Sequence, residues 1–169
     1  GYADVAAFGG TDVRTPHIDR LAREGMLFPN MRSTCTVCSP SHAALLTGCY
    51  PDRAGMPGVI RTQPEQSWGY FNPSLPTLAD CLKQAGYRTA LIGKWHLGLA
   101  SPNLPGERGF EFFHGFLGDM MDSYTTHLRH GRNYMRRNTQ EISPEGHATD
   151  LFTSWACDYL AEQAASSRP

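Results

Sequence analysis

Cys38 stands directly before Ser39-Pro40-Ser41-His42, and the run Ala43-Ala44-Leu45-Leu46-Thr47-Gly48 follows. Ser39 is expected to cap the first free N–H groups of a helix, and Pro40 suits its first position because it has no N–H to leave unpaired. Gly48 ends that helix in a left-handed conformation. Cys38 then falls just before a helix N-terminus, where aligned amide dipoles favour an anion. A sulfur nucleophile, or an electrophile made from it, is held there against a bound oxyanion. His42 lies about one turn along, and its side chain points back toward Cys38 and the anion pocket. A second chemical segment is Gly93-Lys94-Trp95-His96-Leu97-Gly98. Tyr87 to Ile92 reads as a buried strand, which puts Lys94 and His96 just beyond its C-terminal end. Ligands of open α/β sheets bind outside the carboxyl ends of the strands. Trp95, between the two, is expected to pack inward as a support.

Cys38 to Gly48 resembles the sulfatase signature Cys-x-Pro-x-Arg with its apolar stretch and Thr-Gly, and Gly93 to Gly98 resembles the family's second signature. Two motifs in the right order make a far more specific signal than one. Gly1 to Val5, Thr15 to Gly25 and Tyr50 to Gly55 resemble further stretches of the same family. The resemblance implies a sulfuric ester hydrolase acting on an aryl or carbohydrate sulfate, with an alkaline-phosphatase-like mixed sheet flanked by helices. It implies that a formylglycine-generating enzyme oxidises Cys38 to formylglycine, whose hydrated aldehyde attacks sulfur. It also implies calcium, or another divalent metal, bound by that residue together with carboxylates elsewhere. Lys94 matches the lysine that contacts the sulfate, and His96 the histidine that hydrogen-bonds the hydrate. His42 departs from the pattern, because the family has arginine there. Histidine is shorter, offers fewer donors and is only partly charged near neutral pH.

By the same resemblance, residues 1–169 form part of a larger catalytic domain. Its first strand, with paired aspartates, belongs before residue 1, and further metal ligands belong after residue 169. Asp4 is out of register with those aspartates and takes no such role. Residues 1–169 alone are accordingly expected to be inactive. The family places such enzymes in the periplasm, the lysosome or outside the cell. Two other readings stand beside this one: a related phosphonate or phosphodiester hydrolase, and a weak or silent sulfatase-fold paralogue motivated by His42.

The elements that must position these residues follow from local pattern. Thr15-Pro16 opens a helix that ends at Gly25, with Ile18, Leu21 and Ala22 as its apolar positions. Met26 to Phe28 continues as a short strand or extended run. Gly48 to Pro76 is too polar and broken for regular structure, and long ordered loops of this kind wall binding sites. Thr77 caps a helix over 78–85, with Leu78, Leu82 and Ala85 facing the core and Cys81 as a buried small hydrophobe. Helix, glycine turn and strand form half of a βαβ unit, so α/β is the expected class. Phe110, Phe112, Phe113 and Phe116 are expected to pack in the core, with His114 outside the chemistry. Arg129, Arg132, Arg136 and Arg137, with His127 and His130, form a basic stretch that suits an anionic glycan or a solvated loop equally. A last helix opens at Thr149 or Asp150, with Leu151, Phe152, Trp155, Tyr159 and Leu160 along one face.

Composition narrows the partners. The net charge is −1, so nothing electrostatic favours nucleic acid or an anionic membrane surface. No apolar run is long enough to span a bilayer. Five cysteines form no dense framework. Cys35-x-x-Cys38 has the spacing of a redox pair or half a zinc site, yet no second Cys or His pair stands at zinc spacing. A disulfide to Cys38 would block its oxidation to formylglycine.

Overall fold

A computed structural model describes residues 1–169, which form two compact units, Gly1–Ser33 and Thr34–Pro169. In the first, 3-10 turns at Tyr2–Asp4 and Ala6–Phe8 precede α1 (Pro16–Glu24). Asp19 ties them together, its Oδ1 accepting the Ala7 N–H at 2.8 Å and the Thr15 hydroxyl at 3.0 Å. Ile18 and Leu21 are exposed, and Met26 to Phe28 is irregular instead of a strand.

The second unit contains α2 (Cys38–Thr47), α3 (Leu78–Gln84), β1 (Ala90–Lys94), β2 (Phe112–Phe116), β3 (Leu128–Arg129), β4 (Arg132–Asn133), β5 (Met135–Arg137), β6 (Gln140–Glu141) and α4 (Ala148–Gln163). β1 and β2 run parallel, β5 and β6 add antiparallel to β2, and the sheet order is β1-β2-β5-β6. β3 and β4 form a separate small hairpin. This is the α/β class with a mixed sheet flanked by helices.

β1 starts at Ala90, not Tyr87, and reaches Lys94. The carbonyls of Gly86 and Tyr87 accept from the Arg168 guanidinium, and the Thr89 hydroxyl bonds the Gly109 carbonyl and the Glu111 N–H, so side chains replace the ladder there. Close approach of β1 and β2 requires Gly115, where a Cβ would meet the Gly93 carbonyl oxygen at 1.8 Å.

α3 has the expected cap at Thr77, closed reciprocally with Asp80. Its buried residue is Ala79, while Leu78 and Cys81 are exposed. The helix start packs tightly on the chain at Gly109, where a Cβ would lie 2.4 Å from the Asp80 nitrogen, and this turns the Ala79 side inward. α4 begins at Ala148 with His147 as cap, so Thr149 and Asp150 are already helical. Trp155 stacks on His114, with ring centroids 3.5 Å apart, and Tyr159 stacks on Phe112 at 4.9 Å. Leu160 points away and is exposed. The core gathers Ala43, Ala54, Met56, Phe71, Trp95, Leu97, Phe113 and Leu117, which ties α2 and the long loop after it to the sheet.

Candidate functional site

α2 begins at Cys38 itself, two residues earlier than a Ser39 cap requires, so Cys38 is the first helical residue and not the one before it. Val37 is the extended capping residue, and no side chain bonds the helix end. Pro40 has no N–H, and the Ser41 N–H closes on the Val37 carbonyl at 3.3 Å. Cys38 and Ser39 therefore carry the N–H groups that no helical carbonyl reaches. Cys38 is partly buried and its thiol is not in a disulfide. Ser41 fixes the approach to the helix by donating its hydroxyl to the Cys35 carbonyl at 2.7 Å. Gly48 closes the helix in the left-handed region, as expected.

Ser39 is fully buried, and its Oγ accepts the backbone N–H of Ile60 at 3.2 Å. The carbonyl of the same Ile60 lies 2.7 Å from His96 Nε2. A carbonyl only accepts, so Nε2 carries the hydrogen. One backbone unit of the long loop thus joins the start of α2 to His96. His96 holds φ at 59°, a left-handed conformation that non-glycine residues adopt at a cost. It is 2 % exposed. Burial brings its pKa down to about 4, with the Lys94 charge adding to the fall and the Ile60 carbonyl opposing it. At neutral pH the ring is therefore neutral, and Nδ1 carries a bare lone pair. That atom is buried and has no hydrogen-bond partner. Buried polar atoms are nearly always paired, so an orphan at a strained residue marks a place for a ligand.

His42 lies four residues beyond Cys38, on the same face of α2. Its Nδ1 donates to the Trp95 carbonyl at 2.9 Å, and its ring meets the His96 ring edge to face with centroids 6.4 Å apart. In the neutral ring this leaves Nε2 as an acceptor, whereas an arginine there would only donate. Trp95 is buried, and its indole N–H reaches the Asn103 carbonyl at 2.8 Å. Lys94 is the last residue of β1 and is half-buried. The structure brings His42, Lys94 and His96 to one end of β1, beside the helix that begins at Cys38.

Two features were not visible in the residue pattern. Ile60 contributes only backbone, which leaves no mark in side-chain types. Asp119 is 2 % exposed and lies close enough for its charge to act on His96. Its oxygens accept from Arg129 Nε at 3.0 Å and a terminal nitrogen at 3.2 Å, and its Oδ1 also accepts the Met120 N–H at 2.7 Å. Burial pushes the Asp119 carboxyl up, but the Arg129 and Met120 bonds outweigh it and hold it below its ordinary value. The same Arg129 pairs with Asp122 at 2.9 Å, and Arg136 pairs with Glu141 at 3.0 Å. His127 is buried, with Nε2 donating to the Gly146 carbonyl at 2.9 Å. Two arginines of the basic stretch, Arg129 and Arg136, are thus neutralised within the chain.

The sulfatase family model matches residues 1–169. The chain belongs to the sulfatase family. It is similar to N-acetylgalactosamine-6-sulfatase from Canis lupus familiaris, at 32 % identity, covering 100 % of this chain and 35 % of that protein. The crystal structure of Ps i-CgsB in complex with k-i-k-neocarrahexaose superposes with a TM-score of 0.88 at 28 % identity, covering 100 % of this chain and 40 % of that one. A structure solved with its substrate D-glucosamine-2-N,6-O-disulfate gives a TM-score of 0.75 at 29 % identity, covering 95 % of this chain and 28 % of that one. The fold is therefore that of the sulfatases, alkaline-phosphatase-like, and the chain spans about a third of the length of the relative it matches throughout.

The family implies formylglycine and a divalent metal. A hydroxyl-bearing group such as formylglycine fits the chemistry of His96, whose buried Nδ1 lacks a donor. A metal does not fit these residues alone: no group of three or more His, Cys, Asp or Glu stands together as a ligand set. No helix is long and apolar enough to cross a membrane.

Proposed function

We propose that the whole protein hydrolyses a sulfate ester of a carbohydrate or aryl alcohol, and that Cys38, His42, Lys94 and His96 belong to its reacting centre. The observation that supports this most is His96: a neutral, strained, fully enclosed imidazole with one nitrogen fixed on Ile60 and the other unpaired. Formylglycine made from Cys38 by a formylglycine-generating enzyme supplies a hydrated aldehyde as the nucleophile toward sulfur. Around it, the free N–H groups of α2 and the Lys94 ammonium hold the sulfuryl oxygens, where charge shifts during S–O cleavage. His96 Nδ1 accepts a hydroxyl proton from residue 38 and sets its orientation. His42, anchored on the Trp95 carbonyl, flanks that hydroxyl one turn along the helix. We read residues 1–169 as part of one catalytic domain and place the carboxylates for a calcium ion on residues beyond this span. A periplasmic, lysosomal or secreted location follows the same reading.

Sulfated glycans are the favoured substrate class, since relatives carry such ligands or names. A weaker paralogue is the second reading, favoured by one observation: His42 already spends its N–H on Trp95, where the family arginine would offer several. Turnover of 4-nitrophenyl sulfate and of 6-O-sulfated N-acetylglucosamine by the full-length protein tests the proposal. Hydrolysis that disappears in Cys38→Ala is expected. Activity retained in that variant, or cleavage of phosphodiesters in preference to sulfates, would overturn it.

A further inference from the structure

The loop that carries Ile60 also builds a cavity that the reacting centre does not use. It encloses about 230 Å³ between Ile60, Arg61 and Tyr70 on one side and Leu97, Gly98 and Leu99 on the other. That is below the ~300–1,000 Å³ of a usual small-molecule site, so it takes a single ring or one charged substituent and not a whole oligosaccharide. It adjoins the reacting centre at both walls: Ile60 holds His96 through its carbonyl, and Leu97 follows His96 in the chain. The second wall is rigid, because a Cβ at Gly98 would lie 2.5 Å from Asn103 Cβ.

Arg61 is the one cation lining this cavity. Its backbone is pinned to the Ser67 hydroxyl on both sides, the N–H donating to Oγ at 2.8 Å and the carbonyl accepting from it at 3.3 Å. Its guanidinium lies 3.7 Å from Asp119, an oxygen already bonded by Arg129, and remains 46 % exposed. Arg61 is thus the outer, loosely held member of that cluster. A planar guanidinium fork with free donors matches a sulfate or a carboxylate bidentately.

Resting on the sulfatase reading, we infer that this cavity is a subsite for a second anionic substituent of the substrate, a sulfate or a carboxylate, and that Arg61 is its specificity-determining residue. The apolar walls and Tyr70 pack on the ring that bears the substituent, and Arg61 meets its charge. Substrates with a second anion then bind better than those with the scissile sulfate alone.

The test compares three inhibitors of 4-nitrophenyl sulfate turnover by the full-length, calcium-loaded protein. They are N-acetylglucosamine 6-O-sulfate, glucosamine 2-N,6-O-disulfate, and the disaccharide of glucuronate with N-acetylglucosamine 6-O-sulfate. At least one of the two dianionic sugars should bind about tenfold more tightly than the monoanionic one, the gain expected of one charge-assisted contact, and which one does so identifies the anion. Arg61→Ala should bring that ratio close to one, Arg61→Lys should keep part of it, and Arg132→Ala, on the exposed hairpin, should leave it intact. A wild-type ratio below about twofold, a ratio preserved in Arg61→Ala, or no binding of any of the three sugars overturns the inference. If the protein hydrolyses neither the aryl sulfate nor N-acetylglucosamine 6-O-sulfate, the sulfatase reading fails, and calorimetric titration of the same sugars still measures the ratio.

Discussion

His96 and His114 stand two residues past the end of one strand and in the middle of its neighbour, and burial brings both to a pKa of about 4. There the likeness ends. His114 sits within β2, paired in register with Ile92 and Arg137, and its ring lies flat on Trp155. His96 has left regular structure, holds a left-handed backbone, and keeps a buried nitrogen with no partner. A lowered pKa therefore reports burial in both places and function in neither by itself. What separates them is unspent bonding capacity held in place at a conformational cost.

The largest expected effect falls at the strand end. In the full-length protein, Lys94→Ala should lower kcat/KM by on the order of 10²-fold, as for loss of a preorganised cation at developing charge. A fall below about threefold in a folded variant would return Lys94 to the role of a surface lysine. His96→Phe should cost about tenfold or more, through loss of a hydrogen bond to the reacting hydroxyl. His114→Phe conserves ring volume and the stack on Trp155, so its kcat/KM should stay within about threefold. Equal losses in the two histidine variants would erase the distinction drawn between the regions.

Acid stability sharpens the comparison from the other side. Both rings have folded-state pKa values near 4, against 6.5 for the ordinary imidazole. Between those values the unfolded chain binds protons that the folded one refuses, so stability is fully present above pH 6.5 and is lost as pH falls toward 4. Thermal melting of His114→Phe should show a shallower fall over that window than the wild type, and an identical slope would mean that His114 is not held neutral. The smallest effect concerns position 42. His42→Arg should raise the fraction of Cys38 converted and the turnover per converted molecule, by a few-fold, because arginine adds a permanent planar donor set. Slower turnover with unchanged conversion would show histidine to be the adapted residue.

Much of this contrast was legible before the fold was known, because local rules dictate it. The Gly48 stop of α2, the Thr77 cap of α3, the inward Trp95 and the placing of Lys94 and His96 at a strand end are written in caps, turns and apolar runs. Tertiary contacts decided the rest. Ser39 looked like a cap and instead anchors Ile60. Leu78, Cys81 and Leu160 looked buried by helical spacing, yet the neighbours at Gly109 and on β2 selected adjacent residues. The arginines after Tyr124 looked like one patch, but Asp119, Asp122 and Glu141 take Arg129 and Arg136 out of it as ion pairs. Charge pairing across ten residues and a bridging backbone carbonyl have no signature in sequence spacing.

The central claim is that Cys38 is the precursor of the reacting group which His96 waits to bond. Mass spectrometry of the peptide containing Cys38, from the full-length protein produced with an active formylglycine-generating enzyme, tests it most directly. An aldehyde at residue 38, trapped as a hydrazone by a hydrazide probe, is the expected result. An unmodified cysteine thiol throughout the population would contradict it and leave a sulfatase fold without sulfatase chemistry.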